Sequence, residues 1–134
     1  MKKKDIKKID ELTNEIGQLE RQQQEIEKQI IQKRSELYNY KRQVNRSLKL
    51  TDAMVYVLRS IASGATFRSS EYRYPYRYIL THLESGMTEV IKGAVFDGLR
   101  LREALAEDEE KRSVCQRTYK LTDHGRSLVQ DCQA

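Results

Sequence analysis

The sequence predicts a mainly α chain with one small β-hairpin: a long N-terminal coiled-coil helix over residues 1–49, then a small domain over residues 50–134. Three observations predict it. Apolar residues recur at alternating spacings of three and four from Ile9 to Val44, the seam pattern of a coiled coil. Two stretches near the C-terminus alternate with a period of two, separated by a charged run that cannot bury anything. Thr122 followed by Asp123 then reads as the cap and first turn of a closing helix.

Taken in order, the first helix carries Ile9, Ile16, Gln23, Ile30, Leu37 and Val44 at heptad position a and Leu12, Leu19, Ile26, Lys33 and Tyr40 at position d. It holds no proline, and Gly17 is its only glycine. A seam this narrow cannot cover itself, and the remaining chain is too small to cover its length. A second copy is the simplest cover, which makes Ile9, Leu12, Ile16, Leu19, Gln23, Ile26, Ile30, Leu37, Tyr40 and Val44 the expected dimerisation residues. The alternative cover is the chain's own domain. Ile at a with Leu at d favours two parallel strands, and Gln23 trades stability for register. A parallel pair sets Glu36 beside Lys41, which attracts, and Glu15 beside Glu20, which repels, so the direction stays open.

In the second part, Thr51 caps a helix over residues 51–63, with Met54, Val55, Leu58, Ile61 and Ala62 on one face and Gly64 as its stop. Thr66 to Arg68 read as a short strand. Pro75 suits the first turn of a next helix with Tyr76, Ile79, Leu80 and Leu83 inward and Gly86 at its end. Met87 or Thr88 opens a third helix with Val90, Ile91, Ala94, Val95 and Phe96 toward the core and Gly98 as stop. Leu99, Leu101, Glu103 and Leu105 then alternate as one strand, and Cys115, Arg117, Tyr119 and Leu121 as the other. Glu107 to Arg112 form the solvated turn between them.

The pairing of GLRLRE at residues 98–103 with YKLTDHGRSLV at 119–129 resembles MarR-type and PadR-type winged helix-turn-helix regulators, over roughly residues 51 to 131. In those proteins a Gly-Leu pair leaves the recognition helix and a Tyr-x-Leu-Thr-x-x-Gly stretch leads from the wing into the last helix. The resemblance implies a winged helix-turn-helix domain that binds double-stranded DNA, with the third helix in the major groove. Here that helix offers Thr88 and Lys92, whereas Glu89 departs from a good reader because a carboxylate repels the backbone. The wing offers Arg100, Arg102, Lys111, Arg112 and Arg117, beside the acidic run Glu107 to Glu110.

Between these elements, FRSSEYRYPYRY at residues 67–78 interleaves Arg68, Arg73 and Arg77 with four tyrosines. Arginines and phenol hydroxyls near a helix entrance suit a phosphate clamp; the tyrosines could equally cap the core with their hydroxyls in water. The formal charge of +5 limits the DNA reading, because residues 1–50 carry 13 Lys and Arg against 8 Asp and Glu while residues 51–134 carry 12 of each. A basic face on the second part therefore requires segregation of its charges.

The residues point away from other classes. No apolar run approaches the length of a membrane span, and MKKKDIKKIDEL lacks the apolar core of a secretion signal, so a cytoplasmic chain without membrane contact is expected. Cys115 and Cys132 lack metal-site spacing and read as reduced thiols. His82 and His124 have no patterned nucleophile or ligand partner, and no phosphate loop, HExxH or CxxC occurs. We therefore expect no catalysis, cofactor or metal. The expected function is a homodimeric, sequence-specific DNA-binding protein, a transcription regulator of a prokaryote, phage or plasmid. The competing readings are a protein-interaction adaptor, which implies a protein partner, and a plasmid or phage replication or segregation factor.

Overall fold

The computed structural model describes residues 2–70, 76–113 and 115–133. Helix α1 spans Lys3–Ser47 and α2 Asp52–Ala62; strands β1 (Thr66–Ser70), β2 (Tyr78–Thr81) and β3 (Thr88–Ile91) precede α3 (Gly93–Leu101). Strands β4 (Leu105–Glu107) and β5 (Gln116–Leu121) follow, and α4 (Asp123–Gln133) ends the chain. All five strands join one antiparallel sheet in the order β3-β2-β1-β5-β4. The chain divides into two compact units, Met1–Lys41 and Arg42–Ala134.

The long helix follows the heptads, and strand β5 with the closing helix follows the alternation through Tyr119 and Leu121 and the Thr122 cap. Thr51 caps α2 by accepting from the Met54 amide at 3.3 Å. Thr122 likewise accepts from the Gly125 amide at 2.9 Å at the start of α4, satisfying an amide that has no partner within the helix.

Between those elements the expectation fails, and a mainly α domain with a small hairpin becomes a mixed α/β unit with a five-stranded sheet. The helix expected from Pro75, which itself lies outside the described residues, is strand β2. Its residues Tyr78, Ile79 and Thr81 are aromatic or β-branched and fit a pleated surface better than a helix. Leu80 is wholly buried while Ile79, its neighbour, faces the other side; a helix would have buried both together. Thr88 to Ile91 form β3 rather than the start of a third helix, and Val90 is exposed. Gly86, expected to stop a helix, instead turns the β2–β3 hairpin at φ 67°, a conformation glycine adopts without penalty. Among the described residues no helix lies between β1 and α3, so the expected pair of consecutive helices is replaced by a meander of three strands.

The third correction concerns residues 98–104. Leu99 and Leu101 belong to α3, not to a strand. Phe96 and Leu99, three residues apart, form the buried stripe of that helix, and Leu101 is exposed. Gly98 is not its stop. It lies within α3 where α2 passes so closely that a Cβ would collide with the Met54 side chain.

The core of the second unit lies between the helices and one face of the sheet. Val57 and Leu58 from α2, Phe67 and Leu80 from the sheet, and Leu99 from α3 are almost completely buried, and Val129 of α4 closes the cluster. Tyr78 stacks on Phe96 with ring centroids 4.1 Å apart, and Tyr119 meets Phe96 edge-on at 4.8 Å, both favourable for aromatic quadrupoles. The last turns of α1 belong to this unit. Glu103 binds Arg42 at 2.6 Å and Arg46 at 3.6 Å, and Arg102 donates to the carbonyls of Lys49 at 2.9 Å and Leu48 at 3.3 Å.

Candidate functional site

In an antiparallel sheet, directly paired residues share a face and successive residues alternate between faces. Here the pairing Phe67↔Leu80 and Phe67↔Tyr119 defines the helix-covered face. Glu89 pairs with Leu80 and Glu107 with Tyr119, so both strand carboxylates fall on that face. The opposite face carries Arg68 between Ile79 and Thr118, Lys120 beside Ala106, and Thr66, Thr81 and Thr88 along one side. Arg77 extends it, because its carbonyl accepts from the Ser70 amide at 3.0 Å in continuation of the β1–β2 ladder. Arg68, Arg77, Thr88 and Lys120 are exposed. Among the described residues the acid Asp108 borders the face, its amide donating to the Thr118 carbonyl at 2.7 Å. The result is a pleated surface of three cations interleaved with threonine hydroxyls and the apolar pair Ile79 and Val90; its cations and hydroxyls are groups that suit a phosphate backbone.

The residues expected to contact DNA therefore separate into groups. Arg68, Arg77 and Thr88 come together on the open sheet face, though Thr88 does so from a strand and not from a reading helix. Lys92 is the exposed N-cap residue of α3. Arg100, in the last turn of α3, lies with its guanidinium carbon 5.8 Å from the Tyr119 ring centroid, on the helix-covered side. There it borders a cleft of about 500 Å³ with Ser69, Tyr78, Phe96 and Glu107. Lys111 and Arg112 lie at the exposed turn between β4 and β5, where Arg112 stands 3.8 Å from Glu107. Arg102 is occupied in holding the α1–α2 connection and is half-buried. Arg73 lies outside the described residues.

Two features were missed. Lys120 was visible only as an outward residue of an alternating strand, and nothing in sequence spacing tied it to Arg68 on the neighbouring strand β1. The other is a cluster of Tyr56, His82 and Glu89, with His82 Nε2 2.6 Å from Glu89 Oε2. The Tyr56 hydroxyl donates to the same carboxylate oxygen and lies 3.2 Å from His82 Nε2. Bonds from His82 and then Tyr56 hold the Glu89 carboxyl below its ordinary value, and the bond to Glu89 raises the Tyr56 phenol above its own. His82, expected on a helix without a carboxylate partner, instead clips the β2–β3 hairpin to α2.

The expected dimerisation residues share one property. Ile9, Leu12, Ile16, Leu19, Ile26, Ile30, Leu37 and Tyr40 are all exposed, from 45% at Leu12 and Ile30 to 66% at Tyr40, and no residue of α1 is buried. Gln23 is exposed in the same seam, and Val44 continues the period at the start of the second unit. Among the described residues no three His, Cys, Asp or Glu side chains converge to hold a metal ion, and no helix is long and apolar enough to cross a membrane. Comparison with protein-family models, curated proteins and solved structures finds no match.

Proposed function

We propose that this protein is a homodimeric, sequence-specific double-stranded DNA-binding protein, a cytoplasmic transcription regulator of a prokaryote, phage or plasmid, joined through α1 and acting by binding rather than catalysis. The observation that carries the reading is the placement of charge in the neutral C-terminal part: Arg68, Arg77 and Lys120 share one open sheet face, whereas both strand carboxylates, Glu89 and Glu107, lie on the other, where Arg117 stands 3.8 Å from Glu107. Such a face supplies the cations that release counterions from a duplex. The order α3, β4, β5, α4 also matches the C-terminal half of the winged-helix regulators the sequence resembles, with the β4–β5 hairpin and its Lys111 and Arg112 as the wing. In this reading the open sheet face holds phosphates, whereas Arg100, beside Tyr119 on the helix-covered side, takes no part in that contact.

The test is binding of the full chain to a labelled duplex across a salt series. Each neutralised phosphate adds roughly 0.9 to the slope of log affinity against log salt. Replacing Arg68, Arg77 and Lys120 together with Ala should reduce that slope by about 2 to 3 and weaken binding to all sequences alike. Absence of binding by the unmodified chain at low salt would overturn the reading. A second reading, a protein-interaction adaptor, is favoured by one observation: Arg42, Arg46 and Arg102 are spent on contacts within the chain, which leaves fewer cations for DNA. Retention of a protein partner by a chain that ignores duplex DNA would select it.

A further inference from the structure

We propose that α1 pairs with α1 of a second copy in antiparallel orientation, in the register that sets Gln23 of each copy opposite Lys33 of the other. The inference deepens the dimer reading above and rests on it. The occupant of the seam is a second copy because the seam's own sequence selects it, as follows.

Two polar residues interrupt the apolar seam of the first unit, Gln23 at an a position and Lys33 at a d position. A register that sets either of them against an apolar side chain strips water from a polar group without giving it a partner. In a parallel pair a faces a and d faces d, and only the in-register alignment avoids such mixed layers. In an antiparallel pair a faces d. The register of Gln23 against Lys33 then builds the layers Ile16 with Tyr40, Leu19 with Leu37, Gln23 with Lys33 and Ile26 with Ile30, each occurring twice by symmetry. A shift of one heptad either way sets Lys33 against Ile16 or Ile30, and Gln23 against Ile26 or Tyr40. Two arrangements of the seam therefore remain.

Charge, hydrogen bonding and volume all separate them in the same direction. The parallel form sets Lys33 against Lys33, two like charges that each have only the Glu36 carboxylate of their own helix, 3.2 Å away, as acceptor, whereas the antiparallel form adds an amide oxygen that accepts. The parallel form also sets Glu15 beside Glu20 twice, offset by Glu36 beside Lys41 twice. Reversing one helix brings e positions opposite e positions, so Glu20 meets Arg34 of the second copy twice and Glu27 meets its own copy once. Like charges facing across a pair disfavour it, and opposite charges select it. The parallel form further stacks Tyr40 on Tyr40 in one layer, while the antiparallel form sets Tyr40 against Ile16, alternating large with smaller side chains. Ile at a with Leu at d is the preference of parallel pairs, but the d positions pass from Leu12 and Leu19 to Ile26, Lys33 and Tyr40, so that preference is confined to the first heptads. The apolar groove along Ile26, Ile30, Lys33 and Leu37, about 480 Å³ in volume, lies where the central layers form. The consequence is that the two chains leave the coil at opposite ends.

The experiment uses the full chain with Cys115→Ser and Cys132→Ser, and a nitroxide label on Asn14→Cys, an outward position that leaves the seam intact. The antiparallel register separates the two labels by about 42 Å along the axis at about 1.5 Å per residue; a parallel pair keeps them within roughly 25 Å, the width of two helices. A second measurement oxidises Leu19→Cys and Leu37→Cys proteins in the same background, separately and mixed. Antiparallel pairing yields a disulfide dimer only in the mixture. A short label distance, or disulfide dimers of each protein alone, would overturn the antiparallel register and leave the dimer reading standing. A chain that stays monomeric at the labelling concentration would overturn both.

Discussion

Helix α1 and the globular unit that follows it are built from the same apolar residue types, yet they dispose of them in opposite ways. The 45 residues of α1 bury no side chain, whereas Phe67, Leu80, Leu99 and Val57 in the second unit reach 0% exposure. A sheet covered on one face by three helices has an inside, but a single amphipathic helix has only a seam, and its apolar stripe becomes an inside when another helix covers it. Exposed Ile and Leu at heptad spacing along one helix therefore carry interface information that scattered exposed apolar residues do not.

The largest effect is expected in the core of the second unit. Phe67→Ala removes the ring that meets Tyr78, Phe96 and Tyr119 and should destabilise the second unit by about 3–5 kcal/mol, read as a lowered denaturant midpoint with DNA binding lost in parallel. Leu19→Ala should do the reverse: little change in the core, and weaker self-association by about 2–3 kcal/mol per substituted side chain, read from the concentration dependence of the mass. A loss of core stability in Leu19→Ala would mean that the seam is covered within the chain.

Smaller effects sharpen the boundary between the regions. Arg102→Ala leaves the Leu48 and Lys49 carbonyls to water and removes charge-assisted bonds. We expect a loss of about 1–2 kcal/mol and faster amide exchange through residues 48–51. The least effect is expected at Glu89. Its depressed carboxyl pKa contributes stability that is present above the unfolded value and is lost as pH falls through the lower, folded value. His82→Phe should move the Glu89 carboxyl back toward its ordinary value in a carbon-detected titration, and an unmoved carboxyl would remove His82 as the cause.

The sequence revealed those parts in which one periodicity had no competitor. Heptads over α1, the Thr51 and Thr122 caps, and alternation through Tyr119 and Leu121 each admit one reading. Residues 76–98 admitted two. Ile79, Leu80 and Leu83 fit a helical stripe as well as a strand, and Gly86 serves equally as helix stop or hairpin turn. What decides between them is the neighbouring strand β1, whose pairing with β2 is a long-range fact that a local pattern does not contain. The candidate interface follows the same logic. Arg68 and Arg77 stood out within one short segment, but their common face with Lys120 depends on β1 lying between β2 and β5. The Glu89 and His82 pair, seven residues apart, meets only because the intervening residues turn back as a hairpin.

Both the regulator reading and the antiparallel register require that a second copy covers α1. Sedimentation equilibrium of the full chain over a hundredfold range of concentration, beside a Leu19→Asp and Ile30→Asp double variant, tests this most directly. Pairing through α1 gives twice the chain mass for the unmodified protein and the single chain mass, with intact helix and sheet signals, for the variant. A single chain mass for the unmodified protein throughout the range would contradict it.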